Sequence, residues 1–88
     1  MGFYKIVFEA KAQKQFNRLD KTIQRRIQST LNEIAQLENP RSRGKMLTGN
    51  LSGYWRYRVG DYRIICDIVD SKIIIYILEI AHRREVYD

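Results

Sequence analysis

The sequence predicts an α+β domain of order β-α-α-β-β-β, with a helical hairpin packed on an antiparallel sheet. Three observations carry this. The chain opens on a short aromatic and β-branched run. Two apolar stripes at helical spacing follow. The second half holds three strand-like runs separated by tight-turn signals.

The opening run, FYKIVF at residues 3–8, reads as the first strand. From Glu9, the spacing of Ala12, Phe16 and Leu19 predicts a first helix. Asp20 suits the N-cap of a second, because its carboxylate can accept from the free amides of the first turn. Ile23, Ile27, Leu31, Ile34 and Leu37 form that helix's apolar stripe, and Pro40 with the residue before it stops it. Residues 41–53 read as a basic linker carrying Gly44, Gly49 and Gly53. Strands are then expected near residues 54–59, 62–69 and 72–80, with 81–88 as a tail. Gly60-Asp61 is a two-residue turn with glycine first, the type II′ preference, and Asp70-Ser71 is a second tight turn. With 88 residues, the chain 1–88 is a single domain with one modest core.

The Gly60-Asp61 turn sets a register. It pairs Val59 with Tyr62 and so places Arg58 directly opposite Arg63. Arg56, Arg58, Arg63, Ile65 and Asp67 then share one face; Tyr57, Val59, Ile64, Cys66 and Ile68 share the other. The second set is mostly apolar and belongs against the helices. The same parity assigns Ile74, Tyr76 and Leu78 to the arginine face, unless a bulge or a three-residue turn reverses it. Like charges facing each other across a hairpin are destabilising. An anion between them removes that penalty, and phosphate is the obvious one.

The bulk charge agrees. The formal net charge is +6, and residues 41–63 hold six basic side chains against only Asp61. Such a surface favours a polyanionic or acidic partner. The single cysteine, Cys66, excludes an internal disulfide, and its apolar context makes it a small buried hydrophobe. No Cys/His cluster has zinc-ligand spacing, so neither a metal nor another cofactor is expected. There is no secretory signal and no apolar run of bilayer length, so a cytoplasmic protein without membrane contact is expected.

The residues suit RNA cleavage without metal. The 2′-hydroxyl must lose a proton, the leaving 5′-oxygen must gain one, and charge building on the phosphate must be stabilised. Arginine does the last of these well through its two-pronged hydrogen bond, but with a pKa above about 12 it is a poor proton acceptor. Proton transfer therefore falls to His82, the only histidine, or to Tyr87, with Glu79 and Asp67 as further options. Arg41, Arg43 and Lys45 in the basic linker are candidate RNA contacts. Trp55, Tyr57 and Tyr62 could stack on bases, although sheet aromatics more often pack the core.

The segment KMLTGNLSGYWRYRVGDYRIICDIVDSKIIIYILEIAHRREVYD resembles the C-terminal half of RelE toxins, in the RelE/ParE superfamily of type II toxin–antitoxin systems. The matching features are the K-x-L-x-G-x-L-x-G lead-in, the R-x-R-V-G-D-Y-R-I hairpin, the isoleucine-rich strand and the closing H-R-x-x-V-Y. FYKIVFEAKAQKQFNRLD is similar to the family's opening strand and helix. The resemblance implies a microbial-RNase-like fold and a ribosome-dependent mRNA interferase that cuts A-site codons. It places Arg56 and Arg58 where many members carry lysine or arginine. It puts Arg63 on the scissile phosphate, Arg83 on the transition state or leaving group, and Tyr87 on the 2′-hydroxyl. Arginine at the first two positions removes a lysine that could transfer protons, which draws attention to His82. The implied partners are a RelB-like antitoxin, the ribosome and its mRNA, and promoter DNA only through the antitoxin complex. Two other classes remain: a ParE-like inhibitor of DNA gyrase, and a non-catalytic relative whose arginines only hold RNA or a partner.

Overall fold

A computed structural model of the chain describes residues 3–85. It contains β1 (Lys5–Phe8), α1 (Ala10–Asn17), α2 (Lys21–Gln36), β2 (Lys45–Met46), β3 (Trp55–Val59), β4 (Tyr62–Val69) and β5 (Ile74–His82). The helix starts follow the sequence. Glu9 is the extended N-cap residue of α1, and Asp20 caps α2 by accepting from the Ile23 amide at 3.0 Å. α2 ends at Gln36, before Pro40, which instead opens a single 3-10 turn, Pro40–Ser42.

The two helices cover one face of a five-stranded sheet of order β1-β5-β4-β3-β2. The β2–β3, β3–β4 and β4–β5 pairs are antiparallel, while β1 lies parallel to β5, so the sheet is mixed rather than wholly antiparallel. A parallel pair needs a long crossover, and the chain from α1 to β4 supplies it. With neighbours on both sides, β5 keeps Ile75 and Ile77 fully buried. Between helices and sheet lie Ala12, Ile27, Leu31, Ile34, Tyr57, Val59, Ile64, Cys66, Ile68 and Ile80.

The first hairpin forms as the sequence dictates. Gly60 takes φ 58°, no positive φ falls on Asp61, and the pairs are Val59 with Tyr62 and Arg58 with Arg63. The second turn is longer than expected. Val69 pairs with Ile74, so four residues connect the strands, and Ile73 adopts φ 55°, a region that β-branched residues avoid. The last strand accordingly begins at Ile74 and includes Ala81 and His82, which the sequence places in the tail.

A β-bulge decides the rest. Cys66 pairs with Ile77, but Ile65 pairs with Glu79, so β5 carries an extra residue at Leu78. Ile74 and Tyr76, opposite Val69 and Asp67, keep the parity expected of them. Beyond the bulge the parity inverts: Ile80 turns to the helix-covered core, Ala81 sits opposite Arg63, and His82 sits opposite Tyr62.

Candidate phosphate-binding cleft

The arginine face forms in the expected register. Arg56 lies opposite Ile65 and Arg58 opposite Arg63, so the three guanidinium stems leave the same side of the β3–β4 hairpin. Lys45 pairs with Arg56 through β2 and adds a fourth cation to that side. Ile65, between them, is buried, so the cations rise from an apolar floor. The residues after Lys45 then curl through a 3-10 turn, Gly49–Leu51. They wall a cleft of about 450 Å³ lined by Met46, Leu47, Thr48, Asn50 and Leu51, with Arg56 and Arg63 completing it. The Nε atoms of Arg56 and Arg63 are buried, and that of Arg56 has no hydrogen-bond partner among the described residues. A buried donor without an acceptor costs about 1–3 kcal/mol, a cost that a bound anion oxygen can offset.

Sequence reading takes this wall for a linker. Its signal is the spacing of glycines. Gly44 takes φ 81°, and a Cβ there would stand 2.4 Å from the Arg56 carbonyl oxygen, 2.7 Å from the Trp55 indole nitrogen and 2.8 Å from the Tyr57 ring. Only glycine lets the chain pass this close to β3 and pair Lys45 with Arg56.

Arg83 closes the same end of the hairpin. Its amide donates to the Asp61 carbonyl at 2.7 Å, and its guanidinium lies 3.5 Å from the Asp61 carboxylate. Both side chains are exposed, so the ion pair is weak and is readily exchanged for a phosphate.

Other predicted site residues lie elsewhere. His82 faces the opposite side of the sheet. Its ring stands edge-on to Tyr62 with centroids 5.1 Å apart, its Nδ1 accepts from the Arg84 amide at 3.1 Å, and it lines a small hollow with Gln15 and Arg18 of the helical layer. The bulge is the cause; an unbulged β5 would have aimed it at the arginines. Tyr57 is core rather than a base-stacking platform, because it is buried and its hydroxyl donates to the Pro40 carbonyl at 2.6 Å. Burial, with the nearby Cys66, pushes its hydroxyl pKa well up, so it stays a donor. Trp55 is half-buried against the core, and its indole donates to the Arg43 carbonyl at 2.7 Å, pinning the linker. Arg43 pairs with Glu33 of α2 at 3.2 Å. Glu79 pairs with Lys11 of α1 at 2.9 Å. Tyr87 lies outside the described residues.

Arg41 holds the far turn. Its guanidinium donates to the Asp70 carboxylate at 3.0 Å, and the Tyr4 hydroxyl donates to the same oxygen at 2.7 Å. These two bonds, Arg41's first, hold the Asp70 carboxyl below its ordinary range. A depressed folded pKa stabilises the fold above the unfolded value, and that stability is lost as pH falls through the folded value. Asp70→Asn should therefore melt below wild type at neutral pH. The difference should shrink once pH drops below about 4, the range where free aspartate protonates. Melting temperatures measured across that range check this, and a gap that persisted into strong acid would exclude the linkage.

Among the described residues, no group of three or more His, Cys, Asp or Glu side chains is placed to hold a metal ion, and no helix is long and apolar enough to cross a membrane.

Known proteins share this fold. The chain is 28% identical to the mRNA interferase toxin RelE of Escherichia coli K12 over 87 residues, covering 96% of this chain and 90% of that protein. Its fold matches a chain of the RelBE2 toxin–antitoxin complex from Mycobacterium tuberculosis with a TM-score of 0.71 and 29% identity, over 94% of each chain. It also matches a chain of the archaeal RelE–RelB complex from Pyrococcus horikoshii, with a TM-score of 0.73 and 25% identity over 96% of this chain and 99% of that one. The family described as the ParE toxin of the type II toxin–antitoxin system parDE matches residues 6–87. With nearly its whole length matched, the chain belongs to that family, as a toxin of the RelE/ParE superfamily of type II toxin–antitoxin systems.

Proposed function

We propose that this toxin is a ribosome-dependent mRNA endonuclease that cuts A-site codons without a metal ion and so stops translation. The observation that carries the proposal is the direct pairing of Arg58 with Arg63, beside Arg56 and Lys45, at a cleft on the open face of the sheet. Guanidinium groups gathered on one face can hold a phosphate through paired, charge-assisted hydrogen bonds.

In this reading Arg56 and Arg63 hold the scissile phosphate and Arg58 extends the cationic path. The 2′-oxygen attacks phosphorus, forming a cyclic phosphate as the bond to the 5′-oxygen breaks. Arg63 and Arg83 neutralise the charge that builds on the phosphoryl and leaving oxygens. Tyr87 takes up the proton lost by the 2′-hydroxyl, because His82 lies on the other face of the sheet, and the 5′-oxygen, on the opposite side of phosphorus, gains its proton from solvent. The partner that restrains the toxin is a RelB-like antitoxin, through which alone promoter DNA is contacted, and the toxin works in the cytoplasm.

Tyr87→Phe should slow cleavage by about 10²-fold or more, the usual contribution of a positioned acid or base, while His82→Gln should keep cleavage within a few-fold of wild type. Single-turnover cleavage by both variants tests the assignment, and the reverse pattern would move proton transfer to His82.

Primer extension on a reporter mRNA, with and without purified ribosomes, tests the function itself. Cuts confined to ribosomes at A-site codons support the proposal. Cuts on naked RNA would mean a free ribonuclease. The family match to ParE toxins supports a second reading, inhibition of DNA gyrase. Absence of any cut, with loss of gyrase supercoiling, would establish that reading instead.

A further inference from the structure

The bulged end of β5 turns one backbone amide out of the sheet. The Arg83 amide donates to the Asp61 carbonyl, and hydrogen-bonded and non-hydrogen-bonded pairs alternate along an antiparallel ladder. Ile80, opposite Ile64, is therefore at a non-hydrogen-bonded position, and its amide points away from β4. On that side β1 pairs with β5 only as far as Phe8, opposite Ile77, before the chain turns into α1. Gln15 of α1 meets the amide instead. Its side-chain oxygen accepts from the Ile80 amide at 2.7 Å, in a partly buried contact between residues 65 positions apart.

A buried amide without an acceptor is costly, so the strand keeps this form only while an acceptor stands there. Lys11, one turn earlier on α1, pairs with Glu79 beside the bulge, but its side chain is largely exposed and the ion pair adds little. Gln15 is the contact that takes the place of the missing strand.

The bulge also decides where Arg83 stands. Cys66 pairs with Ile77, and pairing one for one from there would set Tyr62 against Ala81 and Asp61 against His82. Arg83 would then lie beyond the hairpin turn, and its amide would lose the Asp61 carbonyl. The extra residue at Leu78 draws β5 back by one position, so Tyr62 faces His82 and Arg83 reaches Asp61.

We infer that Gln15 is a positioning residue: by holding the Ile80 amide it fixes the bulge, and through the bulge it sets Arg83 at the Gly60-Asp61 turn. The inference rests on the catalytic role of Arg83 proposed above. It gives α1, which supplies none of the residues lining the cleft, a part in the reaction.

Three substitutions test it. Gln15→Leu keeps a side chain of similar size and removes the acceptor, while Gln15→Glu keeps an acceptor oxygen. Gln24→Leu is the matched control, because Gln24 is also half-buried and makes one bond to backbone, donating to the Phe16 carbonyl at 2.9 Å between the two helices. In single-turnover cleavage of ribosome-bound mRNA, Gln15→Leu should lower the rate at saturating toxin about tenfold or more, with half-saturation within a few-fold of wild type. Gln15→Glu should recover most of that rate. Gln24→Leu should keep the wild-type rate even where its melting temperature falls as far. Amide hydrogen exchange on the toxin alone reads the same point without cleavage. In Gln15→Leu the Ile80 and Arg83 amides should exchange about tenfold faster or more, measured against the amides of β3. Gln15→Met serves if the leucine variant does not fold. Unchanged exchange at Arg83 overturns the inference whether or not the toxin cuts mRNA. So does an equal loss of rate in Gln24→Leu, which would reduce Gln15 to general stability. Failure of A-site cleavage in the wild type strikes the catalytic reading alone, because exchange at Ile80 and Arg83 is scored independently.

Discussion

Arg63→Ala should remove cleavage while leaving the protein folded. The side chain projects beside Arg56 at the cleft and directly opposite Arg58. Loss of one preorganised donor to a developing oxyanion costs about 10²–10³-fold in rate. The variant should therefore lose growth arrest and ribosomal cleavage while remaining folded. Toxicity retained by a folded variant would move phosphate binding off the hairpin. A fall of several degrees would give Arg63 a structural role instead.

Gly44→Ala should be the most damaging single change outside the core. Its φ of 81° alone costs an L-residue about 1–2 kcal/mol. The new methyl would also stand 2.4 Å from the Arg56 carbonyl oxygen, and this neighbour is backbone, so it cannot swing away. Together these should cost about 3 kcal/mol, at the upper end of ordinary point substitutions. For a domain of this size that is a drop of roughly 12–24 °C in melting temperature. The consequence reaches the site. Relief requires the linker to lift from β3, which breaks the pairing of Lys45 with Arg56 and displaces the wall at residues 46–51. Phosphate affinity should fall together with stability, whereas Gly53→Ala, where a Cβ would meet nothing within 4 Å, should lower stability through backbone strain alone. Calorimetry with an RNA-binding titration on both variants checks the contrast. Equal loss of RNA affinity in the two would show that Gly44 has no special part in shaping the cleft.

The parts of the site legible in the sequence are those fixed by local geometry. The Gly60-Asp61 turn sets the register of the residues beside it, so the facing of Arg58 and Arg63 follows from a two-residue spacing and one glycine. The Asp20 cap and the apolar stripe of α2 are equally local. Trp55 and Tyr57 are ambiguous in sequence because an aromatic in a strand has the same pattern whether it meets a base or a core. The Arg43 and Pro40 carbonyls within reach of their polar atoms decide for packing.

Sequence alone dictates the helix starts, the first hairpin, the arginine face and the family. Each rests on contacts between residues close in the chain or on short motifs. Three other features arise only in the folded chain: β1 enters parallel beside β5, residues 46–51 form a wall, and His82 turns away from the arginines. These depend on residues far apart in sequence. The bulge at Leu78 is the clearest case. One extra residue on β5 exchanges the two faces for everything beyond it, and where it falls is set by packing Ile77 and Ile80 against the helices while keeping pairs with β4. No local pattern in an isoleucine-rich strand marks that position, because alternate residues on both of its faces are apolar.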